Sequence, residues 1–497
     1  MGFKTDTSFL RFLSMGAIGV HQTMAQLRAA GFEPIELERY CGSNKIWMTK
    51  VKRLRLPDVL CVRTGLRIEV RAKSDLKIRM SDAPTNPART WDAGLRDDDL
   101  AAFIAILDDA DGQRAADEAV FFTVRALRDS VGTSALGPPK SASEGAERDR
   151  TWPAVIPTCN GTVQTVNDDK LVVQMQGGGR ALRRQTCTLN GKHTYVGSGD
   201  EFKAAESVLA GTPRELADLL TYRSRAYDPL AGLHEPNAVD RYAAAKALPH
   251  RGDLRDRAIL ALESLISVEE EERVALEAAG SAAALGSSLG QERIEAVLWG
   301  DGRADLRMEA VLILTELASP FAKRELVRAA GNCELENDEI RQAAVWGLGK
   351  AGLRAYEELL PLIADTDENV AMHAIVAFGG DTPEAVIREL VRDLATSDPR
   401  RAPAASEALR LIGNERVIRI LIEAAAGGHD WVLATLGRLP PQLVRPAIAG
   451  SSLLPRLAPM LLLSAGANWL ASEDRVVDLA FLAKQHIQQP RLGLALR

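Results

Sequence analysis

A chain of 497 residues is too long for one hydrophobic core, so several domains are expected. Apolar content of 46% and charged content of 26% are ordinary for a globular chain, and no apolar run is long enough to cross a bilayer as a helix. The five cysteines are scattered without a Cys-x-x-Cys pair, which argues against a disulfide framework or a structural zinc site and for reduced thiols in a cytoplasmic protein.

The first twenty residues interrupt their apolar stretch with polar ones and lack a small-residue cleavage site, so they are expected to belong to the fold rather than to a signal peptide. The spacing of Val20, Met24 and Leu27 predicts a helix over 17–31, with Gly31 as its C-cap. The period then changes. PIELERY, KIWMTKVKRLRL, PDVLCVR and LRIEVRAK read as strands, with Thr64-Gly65 as a tight turn. A second helix is predicted over 98–108 and an apolar strand over 119–127.

The net charge of −6 conceals an asymmetry. Residues 39–79 hold twelve Lys/Arg and three acids, a local +9, which leaves −15 for the remainder. A basic patch in an acidic chain is an electrostatic footprint for a polyanion, and Lys50, Lys52, Arg53, Arg55, Lys77 and Arg79 are the candidate backbone contacts. Asp58 opens one strand of the central hairpin and Glu69 lies in the next. Strand alternation puts Glu69, Arg71 and Lys73 on one face, and a turn at Thr64-Gly65 brings Asp58 toward Glu69. Two carboxylates beside a cation can hold Mg²⁺ and orient water against a phosphodiester.

Pro57, Asp58, Glu69 and either Arg71 or Lys73 resemble the signature of the PD-(D/E)xK nuclease superfamily, and the order of elements over about 130 residues is similar to that family's restriction-endonuclease-like α/β core. The resemblance implies Asp58 and Glu69 as ligands of Mg²⁺ or Mn²⁺, Arg71 or Lys73 as the cation on the phosphate, and nucleic acid, DNA foremost, as substrate. Arg71 stands where the family has Lys. It keeps the charge but does not readily lose a proton, which leaves a non-cutting, degenerate domain as the alternative. The segment Arg89–Arg96 (RTWDAGLR) reads either as a nucleic-acid contact through Arg and Trp91 or as a loop whose Trp91 plugs the core, with Asp97 or Asp98 capping the next helix.

Residues 136–150 are rich in Pro, Ser and Gly and read as a linker after an α/β domain spanning 1–135. A strand pattern returns over 151–211. VGSGDEFK and the segment up to Gly211 resemble barrel-sandwich hybrid domains, the fold of biotinyl and lipoyl carriers. Lys170 lacks the flanking Met residues of a modified lysine, so a small all-β spacer or docking domain is expected rather than a carrier. A connecting helix is expected over 212–235.

From 236 onward, similar helix starts recur around residues 241, 273, 307, 341, 371 and 405, at intervals of 32, 34, 34, 30 and 34. One helical hairpin fills such a period and cannot bury its apolar face alone, so the units must stack. The DEIRQAAVWGLGKAG unit resembles the short bacterial HEAT repeat. That resemblance implies an all-α solenoid over 236–497 that binds a protein partner, with the Leu-rich 440–490 as its cap. Together these readings give a multi-domain protein acting in nucleic-acid processing or defence against foreign DNA in bacteria, without a membrane partner. The alternative is a non-catalytic scaffold.

Overall fold

The computed structural model describes residues 7–448 apart from several stretches, the longest being 40–46, 83–89, 137–147, 177–183, 189–195 and 210–216, with 50–53, 74–77, 333–337 and shorter gaps besides. The N-terminal part is strand-rich and the C-terminal part helical. The chain divides into two compact units, Met1–Gly300 and Asp301–Arg497.

In the first unit, α1 (Thr7–Ala29) starts earlier than the apolar spacing suggests and closes at Gly31, where the Phe32 amide donates to the Leu27 carbonyl at 3.0 Å. Strands β1 (Pro34–Glu36), β2 (Val59–Cys61) and β3 (Arg67–Lys73) form an antiparallel meander. Gly65 makes the β2–β3 turn at φ +66°, a conformation that disfavours residues bearing a Cβ. β4 (Ile78–Asp82) leaves the sheet. β5 (Leu100–Asp109) returns to run parallel to β3, and β6 (Gly112–Ala115) and β7 (Val120–Thr123) pair antiparallel with β5.

β5 corrects the sequence reading, which expected a helix over 98–108. Leu100, Ala102 and Ile104 pack under α1, while Ala101 and Phe103 join a separate cluster on the opposite face. A central parallel strand buried on both faces carries a continuous apolar run, and periodicity cannot tell such a run from a buried helix. The expected strand over 119–127 is shorter, because the chain turns into α2 (Val124–Asp129).

The stretch read as a linker also has a structural role at its end. β9 (Arg148–Trp152) pairs with β4 and with β8 (Thr133–Leu136) in a three-stranded sheet lying over the second face of the main one. β10 (Ala154–Val155) follows. A four-stranded sheet is then built from β11 (Gly161–Val166), β12 (Lys170–Met175), β13 (Arg184–Thr188) and β14 (Glu201–Phe202), while β15 (Val208–Leu209) pairs back with β10. Its core of Val163, Leu171, Val173, Val196 and Phe202 packs against Ala105 of β5. The connecting helix expected over 212–235 is absent among the described residues. Leu219–Tyr222 and α3 (Pro229–Gly232) are single turns, capped by Asp218 and Asp228.

The helices then pair in succession. The first unit holds α4 (Ala238–Ala247), α5 (Arg255–Val268), α6 (Glu272–Leu285) and α7 (Ser288–Trp299). The second holds α8 (Ala304–Leu317), α9 (Pro320–Gly331), α10 (Asp338–Leu348), α11 (Tyr356–Leu359), α12 (Glu368–Ile375), α13 (Glu384–Asp393), α14 (Arg401–Ile412), α15 (Glu415–Ala425), α16 (Asp430–Arg438) and α17 (Pro441–Ile448). All six recurring starts fall inside helices, and α8, α10, α12, α14 and α16 pack each on the next. Small residues permit this: a Cβ at Gly347 would lie 2.3 Å from Thr315 Oγ1. α11 is cut short by Pro361 and continues as a 3₁₀ turn. Most of the Leu-rich stretch 440–490 lies outside the described residues.

The recurrent Arg of the helix starts has a physical cause. Arg241 of α4 donates to both Glu269 oxygens, at 2.7 and 2.8 Å, and Glu269 accepts from the Glu271 amide ahead of α6. Arg341 of α10 does the same to Asp365, which accepts from the Asp367 amide ahead of α12. Each planar guanidinium clamps the acid that shapes the turn before the next first helix of the series.

Candidate functional site

The register Val59↔Ile68 and Leu60↔Arg67 continues to set Asp58 against Glu69. Asp58 lies just before β2, and its Oδ2 accepts from the Val70 amide at 2.7 Å, so its side chain takes over the ladder where the backbone pairing stops. Glu69 pairs with Arg71 on the same face of β3 and is 12% exposed on its side chain. Burial, and then the Glu69 charge, push the Asp58 carboxyl up to about 7, with Glu36 adding to the rise and Arg71 and the Val70 amide opposing it.

The structure thus brings Asp58, Glu69 and Arg71 together. Lys73 points elsewhere, with its ammonium on the Arg79 carbonyl of β4. Arg55 and Arg79 are exposed, whereas Lys50, Lys52, Arg53 and Lys77 lie outside the described residues. Trp91 is a core residue, 8% exposed and edge-on to Trp152 at 5.0 Å. Asp97 pairs with Arg128, and no helix follows for it to cap.

Part of the basic window is neutralised inside the molecule. Arg67 is 3% exposed and bonds Asp99 at 2.9 Å and Asp240 of α4 at 2.6 Å. Arg39 is 5% exposed and reaches Glu277 of α6 at 2.9 Å. Arg63 meets Glu33 and Asp253. Leu37, Leu60 and Val62 pack on Ala243 and Ala247 beside these pairs. These arginines hold α4–α6 on the sheet, and the sequence reading credited their charge to a polyanion surface.

Sequence reasoning missed two features. Glu36 was read only as a strand residue, yet its charge bears on Asp58. Arg150 sat at the end of an apparent linker, yet its guanidinium lies 5.5 Å from the Trp152 ring centre and 5.9 Å from that of Trp91. Among the described residues no group of three His, Cys, Asp or Glu is placed to hold a metal.

No family model matches the chain, and no curated protein does. Among solved structures, an engineered protein is 16% identical, covering 54% of this chain and 85% of its own, with a TM-score of 0.23. The YIBA protein of Escherichia coli is 14% identical, covering 52% of this chain and 92% of its own, with a TM-score of 0.26.

Proposed function

We propose that the first sheet carries a divalent-metal-dependent phosphodiesterase site acting on nucleic acid, within a restriction-endonuclease-like core, and that the helical series is a HEAT-like scaffold for a protein partner. The observation that carries the reading is the pairing of Asp58 with Glu69 beside the Arg71 guanidinium, where burial and then the Glu69 charge hold the Asp58 carboxyl up at about 7. A divalent cation would offset both the burial of that charge and its repulsion from Glu69. Mg²⁺ is commonly held by one or two carboxylates, with water and phosphate oxygens completing its shell, so Asp58 and Glu69 suffice as protein ligands without a third acid. When bound, the metal would polarise the phosphodiester and activate water. Arg71 would neutralise charge building on the phosphate, and Asp58 would keep its place through the Val70 amide.

The small β-sheet fits a barrel-sandwich-like spacer. Lys170 is exposed beside a tight turn in which the Asn167 side chain accepts from the Asp169 and Lys170 amides. That arrangement stabilises the turn.

Arg71 favours a second reading. A guanidinium paired to Glu69 cannot serve as a proton donor near neutrality, and the site would then bind nucleic acid without cutting it. Purified protein with Mg²⁺ or Mn²⁺ on DNA and RNA substrates separates the two. Cleavage that disappears in both Asp58→Ala and Glu69→Ala supports the phosphodiesterase. Binding without turnover in wild type and variants alike supports the platform.

A further inference from the structure

We propose that the groove between α12 and α14 docks an amphipathic helix of a partner protein, one whose aliphatic stripe is flanked by an acid toward Arg400 and a base toward Glu368. The proposal rests on the reading of the helical series as a scaffold, and it gives that scaffold a surface and a ligand chemistry. It does not depend on the phosphodiesterase site.

α12 and α14 pack side by side as successive first helices of the series. An open groove of about 620 Å³ lies between them. It runs from Glu368 and Arg400 at the helix starts to Val376 and Leu411 at their ends. The lining is chiefly apolar and includes Ile363, Met372, Ile375 and Pro403. Ile363 is buried, while Met372 and Ile375 are half-buried. Val376 is 57% exposed and Leu411 38%. Among the described residues of the second unit, these two are the large hydrophobic side chains left exposed, and both line the groove. Bare aliphatic side chains gathered at one apolar hollow mark a docking place, whereas single ones scattered over a surface do not. On α10, by contrast, the Trp346 ring is covered by the Lys350 ammonium, 3.9 Å from its centre.

The charges around the groove define its occupant. Asp365 is clamped by Arg341, and Glu407 is shared by Arg410 and Arg438. Arg400 and Glu368 line the groove from α14 and α12, are exposed, and make no ion pair among the described residues. The Asp398 carboxylate accepts from the Arg400 backbone amide at 2.9 Å and leaves the guanidinium open. A complementary surface therefore sets a carboxylate against Arg400 and a cation against Glu368. The second unit has no strand among its described residues, so an extended segment finds no sheet edge to join. A helix satisfies its own backbone and lays one stripe of side chains, three and four residues apart, on the groove floor.

The test is selection of phage-displayed amphipathic helices, each of about fifteen residues, on the full chain, with the positions flanking the apolar stripe randomised among Glu, Lys and Ser. Selected peptides are then titrated by fluorescence anisotropy against wild type, Val376→Asp, Leu411→Asp, Arg400→Glu and Glu368→Lys. The expected selection enriches Leu, Ile or Met on the stripe, acids on one flank and bases on the other. Binding should fall about tenfold or more with Val376→Asp, and Arg400→Glu should reverse the charge preferred on the acidic flank. The substituted side chains are exposed, and matched thermal melts confirm folding; Leu411→Asp stands in should Val376→Asp not fold. Helices indifferent to both apolar substitutions bind elsewhere, which overturns the groove and sustains the scaffold. Selection of no helix overturns both. Self-association of the chain that is lost with Val376→Asp assigns the groove to a second copy and overturns the partner helix.

Discussion

Arg67 of the third strand donates to Asp240 of α4 at 2.6 Å, across 173 residues of chain. The same guanidinium holds Asp99 at the start of β5, and Arg96 pairs with the other Asp240 oxygen. A buried cation therefore joins the sheet to the first helices, and the compact unit ends near residue 300 rather than at 235.

Removing one partner of a buried pair leaves the other charge uncompensated, at a cost of about 3–5 kcal/mol. Asp240→Ala leaves Arg67 with Asp99 alone, so the first unit should lose less than that, about 1–3 kcal/mol in urea denaturation. A fragment ending at residue 235 would take Asp240 from Arg67 and Glu277 from Arg39, and leave Leu37, Leu60 and Val62 bare. It should fail to give a cooperative melt, whereas a fragment ending at 300 should give one.

The clamps between helical pairs invite a similar comparison. Arg341 is 8% and Asp365 12% exposed on their side chains. Arg341→Ala should destabilise the second unit by about 2–4 kcal/mol in denaturant, and Arg341→Lys should restore only part of that, because an ammonium cannot fork to both oxygens. A loss below about 0.5 kcal/mol would show the clamp to be ornamental.

His373 is 6% exposed in α12, and burial, followed by the Lys350 charge, lowers its pKa to about 4, with Asp367 opposing. An unfolded histidine titrates near about 6.5. The neutral form is favoured in the fold, so its contribution is fully present above about pH 6.5 and is lost as pH falls from there to about 4, by on the order of 2–3 kcal/mol. Thermal melts of His373→Gln between pH 4 and 7 should show a shallower acid limb than wild type. Parallel limbs would refute the assignment.

Asp58 has the opposite sign. Its carboxyl is raised to about 7 by burial and by Glu69, so the fold favours the protonated form. Stability from that preference is full below about pH 4 and is lost as pH rises through about 7. Asp58→Asn can still accept from the Val70 amide and removes the charge. It should stabilise the metal-free protein by about 1–3 kcal/mol at pH 8 and do little at pH 4. Added Mn²⁺ should raise the melting temperature of wild type and leave Asp58→Asn unmoved.

Local patterns in the sequence determined the paired helices, the β2–β3 hairpin and the setting of Asp58 against Glu69. Helical period, cap residues and a tight Gly turn act within a few residues of chain, and a two-residue strand period follows from them. Tertiary structure decided the rest. The apolar run at 100–109 became a strand because both of its faces are covered, by α1 on one side and by the Trp91–Trp152 cluster on the other. Arg39 and Arg67 became internal ties because acids far along the chain fold onto them. Arg150 left an apparent linker for the core layer because β9 finds its partner in β4. Burial on two faces and pairing at long range are properties of the assembled layers, and no window of sequence contains them.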